Sequence, residues 1–190
     1  MAAPSVMLPL GTRAAPFSLP DTDGRMVSLS DFADSPLLVM FICNHCPYVK
    51  HVQSELVRVG RDYGDRGVGM VAISSNDPEQ YPEDGPDRMR EEKQRIGYPF
   101  PYLFDATQDV AAAYQAACTP DFFLFDRAGL LVYRGQLDDS RPGSGGPVTG
   151  RDLRAALDAV VAGRPVPAVQ QPSLGCSIKW RRGRGPSEIS

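Results

Sequence analysis

The chain has 190 residues, 42% of them hydrophobic and 23% charged, with a formal net charge of -3 and a pI near 5.4. That composition is ordinary for a globular chain able to bury one core, and it lacks the basic excess that nucleic-acid binding requires. No segment approaches the roughly 20 apolar residues of a bilayer-crossing helix, so no membrane partner is expected.

Pro4, Pro9, Gly11 and Arg13 interrupt Met1 to Pro16, which does not read as a signal peptide. The cytoplasm is the expected compartment, where thiols stay reduced. Four cysteines are too few for a disulfide scaffold, which points a paired cysteine motif toward catalysis or metal binding.

In chain order, Phe17–Pro20 and Met26–Leu29 flank Asp23-Gly24 and predict an N-terminal β-hairpin. Ser30–Phe32 reads as a short helical turn. Leu37–Ile42 is a six-residue apolar run and predicts a buried strand. Val49, Val52, Leu56, Val59 and Tyr63 recur at 3 and 4 spacing and predict a helix from Pro47 to Tyr63. Val68–Ser74 is the next strand, Asn76–Pro86 a loop and Asp87–Ile96 a charged helix. A short strand follows at Tyr102–Phe104, then a helix over Gln108–Ala117. Phe122–Phe125 and Leu130–Tyr133, joined by Asp126–Gly129, read as an antiparallel pair. Thr149–Ala162 is a last helix, capped by Thr149 or Asp152 and ended by Gly163. Beyond Arg164, Pro165, Pro167, Pro172 and Gly175 argue against regular structure. The fold class is α/β, with a domain over residues 10–163 and an irregular tail over 164–190 packed on it. The tail's Arg181-Arg182-Gly183-Arg184 reads as a solvated run.

The chemistry concentrates in Cys43-Asn44-His45-Cys46-Pro47. Two thiols fall between the C-terminal end of a strand and the N-terminal end of a helix, with Pro47 suited to the first helical position. A helix N-terminus stabilises a thiolate, the reactive form of cysteine. A C-x-x-C pair beside a βαβ pattern is the signature of a redox domain.

Five segments together resemble the thioredoxin-like redoxins, in a peroxiredoxin-like branch of the alkyl hydroperoxide reductase and thiol-specific antioxidant superfamily. They are Ala15–Asp21, Phe41–Val49, Ile73–Asp77, Cys118–Asp126 and Gly175–Trp180. The resemblance implies a thioredoxin-like fold, with a mixed sheet flanked by helices on both faces. It also implies a cis peptide bond at Thr119-Pro120 facing the cysteines, and a substrate strand pairing with the Thr119 backbone.

On this reading Cys43 is the nucleophile, Cys46 resolves the mixed disulfide, and protonated His45 stabilises the Cys43 thiolate. Asn44, Pro47, Thr119 and Pro120 are expected to contact substrate, while Cys118 and Cys176 are accessory thiols or buried ones. Cys43, His45 and Cys46 crowd into one turn with no distant histidine, so no metal centre is predicted. No cofactor site is visible, since no strand precedes a G-x-G-x-x-G. Three departures stand out, one being Ile42 where the resemblance implies a tryptophan before the first cysteine. Met40 replaces the hydroxyl residue that peroxiredoxins carry three before their cysteine, and no carboxylate stands six residues upstream of Cys43 to take a proton from Cys46.

The leading expectation is a thiol–disulfide oxidoreductase acting on a disulfide-bearing protein or a small thiol, with an external thiol electron donor. A thiol peroxidase and a metal-binding or partner-docking module are the alternatives.

Overall fold

The computed structural model describes residues 2–185. In chain order the elements are β1 (Ala2–Pro4), β2 (Ser18–Pro20), β3 (Met26–Ser28), β4 (Leu37–Phe41), α1 (Pro47–Gly64), β5 (Gly69–Ser74), α2 (Pro86–Ile96), β6 (Tyr102–Phe104), α3 (Asp109–Ala113), β7 (Cys118–Thr119), β8 (Asp121–Phe125), β9 (Leu131–Gly135), α4 (Arg151–Val161) and β10 (Leu174–Ser177). A five-stranded sheet in the order β6-β5-β4-β8-β9 forms the centre. β4 pairs parallel with β5 and antiparallel with β8, which makes the sheet mixed.

β4 is buried along its whole length because apolar layers cover both faces of the sheet. Alternation divides its side chains. Leu38, Met40 and Ile42 join the layer built with Val49, Val52, Leu56 and Val59 of α1, Met89 of α2, and Leu153 and Leu157 of α4. Leu37, Val39 and Phe41 join Phe17, Val110 and Ala111 of α3, Tyr114 and Ile178. Phe41, Tyr114 and Phe123 meet as tilted or edge-on rings 5.6–5.8 Å apart, a favoured aromatic geometry. α1 and α4 are tied by buried Glu55, which accepts from Arg154 at 2.6 Å and from Arg58 at 2.6 Å.

The predicted hairpin is present as β2 and β3. The Asp21 carboxylate accepts from the Asp23 and Arg25 amides, each at 2.8 Å, around Gly24 at φ +81. Three elements differ from expectation. The helix expected over Gln108–Ala117 covers only Asp109–Ala113, because Gln115 turns left-handed at φ 50. The last helix is capped by neither Thr149 nor Asp152. Gly150 takes the cap position, and the Asp138 carboxylate accepts the Thr149 and Gly150 amides at 2.6 and 2.7 Å.

The third difference lies in the tail. Regular structure reaches further than its composition predicts, since Leu174–Ser177 forms β10 in a second sheet of order β1-β10-β7. Its strands come from the two ends of the chain and from the segment before Pro120, a pairing that no local pattern announces.

Candidate active site

Strand register brings the site together. Phe41 is paired with Asp121, so the chain leaving β4 into Cys43 runs beside Thr119 and Pro120. The Thr119-Pro120 bond is cis, as the resemblance implies. All four cysteines are free thiols. Cys46 is the N-cap residue of α1 and Pro47 its first residue, where a missing N–H leaves no bond unmade.

Cys43 and Cys46 are both buried, at 2% and 0% exposure. The Thr119 hydroxyl lies 3.3 Å from Cys43 Sγ, and the Thr119 carbonyl accepts from Cys46 Sγ at 3.2 Å. A hydroxyl therefore does reach Cys43, though from the loop before Pro120 and not from the position that Met40 fills. The sequence leads one to expect a single exposed, acidified sulfur at Cys43. The structure corrects this: Cys43 is buried, and the two sulfurs are shifted in opposite directions. A hydrogen bond to Cys46, then burial, then the Asp84 carboxylate push the Cys43 thiol well up. The Cys46 titration is drawn down to about 4, first by the hydrogen bond from Cys43, against burial, and then by bonds from Cys176, Thr119 and the Val49 amide. A coupled pair loses one proton easily and holds the other.

Asp84, fully buried at the end of a short 3-10 turn over Pro82–Asp84, is the residue that sequence reasoning misses. Its carboxylate accepts the Asn44 amide at 2.8 Å, His45 Nδ1 at 2.5 Å and Asn76 Nδ2 at 2.8 Å. His45 Nδ1 is 4.0 Å from Cys43 Sγ but directs its proton to Asp84. The expected imidazole support for the Cys43 thiolate is thus largely claimed by the carboxylate. Cys43, His45 and Asp84 place one ligand-type atom each within 4.8 Å of one another, and two of those atoms are bonded directly to each other. The His45 ring also stacks on Tyr81 at 4.9 Å.

Asn44 does not offer its side chain to a ligand. Nδ2 donates to the Glu83 carbonyl at 2.7 Å and Oδ1 accepts from Tyr102 at 3.1 Å, so it braces the loop. The Thr119 backbone does not offer an open edge, because β10 is paired with it, Cys176 opposite Thr119 and Ser177 opposite Cys118. Cys118 is fully buried, touches the Pro120 carbonyl at 3.6 Å, and has its titration pushed far up by burial. Cys176 is partly exposed and packs against the layer that contains Cys43 and Cys46. Lys179 and Gln108 lock the segment after β10: the Lys179 amide donates to Asn76 at 2.8 Å, and Gln108 Nε2 donates to the Lys179 carbonyl at 2.9 Å.

Residues 10–134 match the AhpC/TSA family. A structure described as an uncharacterized conserved protein from Geobacillus kaustophilus shares 60% identity, covers 96% of this chain and 97% of its own, and superposes with a TM-score of 0.94. The thiol-disulfide oxidoreductase ResA of Halalkalibacterium halodurans is 25% identical over 122 residues, which cover 64% of this chain and 65% of that protein. The chain thus spans just under two thirds of the curated relatives it matches. The thioredoxin domain of a thiol-disulfide oxidoreductase from Bacteroides vulgatus shares the fold, with a TM-score of 0.57 at 21% identity over 67% of this chain and 89% of its own.

Proposed function

Because the chain belongs to the AhpC/TSA family, we propose that it is a thiol–disulfide oxidoreductase with Cys43 and Cys46 as its dithiol. The observation that carries this reading is the pair of free thiols at the N-terminus of α1, each within reach of Thr119 in the cis Thr119-Pro120 bond. The curated relatives named thiol-disulfide oxidoreductase support it.

The reduced pair has two proton arrangements. With the proton on Cys43, its S–H donates to Cys46, which is the better stabilised thiolate. Moved to Cys46, the proton points at the Thr119 carbonyl, 3.2 Å away, and Cys43 becomes the thiolate beside the Thr119 hydroxyl. Cys43, the first cysteine of the pair, then attacks a substrate disulfide. One substrate sulfur leaves as a thiolate and takes up a proton; Cys46, deprotonated, attacks Cys43 Sγ, closing the Cys43–Cys46 disulfide and releasing the second substrate thiol. An external dithiol returns the electrons, in the reducing compartment that the cysteine usage suggests.

β10 covers the Thr119 edge, so the proposed docking does not use strand pairing at Thr119. Insulin reduction with dithiothreitol tests the activity. Cys43→Ser is expected to abolish it, and Cys46→Ser to retain the partner as a mixed disulfide. Full activity in the Cys43 variant would sink the reading, and peroxide consumption far faster than a free thiol's would replace it with a peroxidase.

A further inference from the structure

β10 lies where the chain before Pro120 would otherwise present a free edge, and it brings a cysteine with it. Cys176 is paired with Thr119, the residue whose hydroxyl touches Cys43 and whose carbonyl touches Cys46. Gly175 is wedged so closely that a Cβ would fall 2.0 Å from the Thr119 carbonyl oxygen, so glycine is what allows this approach. On its other side β10 is held by β1, with Ala2 opposite Cys176. The placement is therefore built from three strands and is not a resting tail.

From this juxtaposition we propose that Cys176 is a third redox thiol, which takes over the disulfide by attacking Cys46 and so returns Cys43 to its reduced state. The proposal rests on the dithiol reading above. Its starting point is the Cys43–Cys46 disulfide formed when a substrate disulfide has been reduced. The Cys176 sulfur gives up its proton and attacks Cys46 Sγ. The Cys43–Cys46 bond breaks as the Cys46–Cys176 bond forms, and Cys43 leaves as a thiolate and takes up a proton. One disulfide is exchanged for another, so no oxidant beyond the original substrate is consumed. The contacts support this pairing. Cys46 Sγ reaches the Thr119 carbonyl at 3.2 Å, Cys176 is the strand partner of that same residue, and Cys176 packs against the layer that holds Cys46; burial, then the neighbouring Cys46, raises the Cys176 titration to about 11. Cys176 is partly exposed while Cys46 is fully buried, so the relay moves the oxidised pair to a sulfur that an external dithiol can reach. Cys118 does not fit the role, being fully buried with its thiol against the Pro120 carbonyl.

Peptide mapping of the full chain under non-reducing conditions tests the relay. Cys43 and Cys46 share the tryptic peptide Met26–Lys50, so their own disulfide leaves that peptide unlinked, whereas the relay joins it to the peptide that ends at Lys179. Wild-type protein oxidised with a stoichiometric amount of a small substrate disulfide, then acid-quenched, is expected to show the linked pair. Cys43→Ser treated with diamide, a two-electron thiol oxidant, is expected to show it as the main intramolecular product. Absence of the link in both samples, or a link from Cys46 to Cys118 in its place, would overturn the relay. Insulin reduction measured on the same wild-type preparation keeps the two readings apart: activity without the link removes only the relay, and no activity removes the dithiol reading itself.

Discussion

At the scale of single residues, Asp84 governs the site as much as the cysteines do. A fixed negative charge beside a thiol opposes its ionisation, and this one also holds the Asn44 amide and the His45 ring. Asp84→Asn is therefore expected to lower the Cys43 titration, read from the pH dependence of alkylation followed by peptide mapping; an unchanged or raised midpoint would contradict the assigned cause. The same variant leaves buried donors with poorer acceptors, which costs about 1–3 kcal/mol of stability, measurable by urea unfolding. The cysteines were legible in the sequence because strand, turn and helix signals bracket them within a dozen positions. Asp84 was not, because a loop rich in Pro, Asp and Gly carries no periodicity that says which carboxylate folds inward.

At the scale of elements, the local periodicities identified β4, α1, β5, α2 and the β8–β9 pair, whose apolar spacing matches the layers they bury. β1, β7 and β10 escaped because each is short and is stabilised by partners far along the chain. Gly175→Ala is expected to push β10 off Thr119, at about 1–3 kcal/mol for an overpacked contact. Faster hydrogen exchange at the Cys176 and Ser177 amides would register the displacement, and protection equal to wild type would refute the close approach. Between helices, Glu55→Ala removes the buried acceptor of Arg154 and Arg58. A loss of about 1–3 kcal/mol is expected for the lost charge-assisted bonds, seen as a lower denaturation midpoint; a shift of a few tenths would mean that solvent and Asp62 already satisfy the arginines.

At the scale of the whole molecule, the proposed dithiol would link redox state to stability through its titration. The disulfide form has neither titrating sulfur, so the difference in stability between reduced and oxidised protein isolates the pair. Cys46 titrates at about 4 in the fold against 9.0 for a free thiol. Between those values the unfolded chain binds the proton that the fold has lost, so reduced-form stability rises with pH across this window and is lost as pH falls toward 4. Cys43 is shifted the other way and keeps its proton above the free-thiol value, so the advantage declines again at higher pH. Buried Asp121, raised to about 7 by desolvation, is common to both forms and cancels. Denaturant titrations with and without reductant, from about pH 5 to pH 9, are expected to show the difference growing. A flat difference would contradict the lowered Cys46 titration.

The three-stranded sheet carries a practical corollary. Ala2 is paired with Cys176 and Cys176 with Thr119, so a displacement of β1 is passed through β10 to the loop beside the sulfurs. Loosening that outer strand would slacken the support of Thr119 from two strands away.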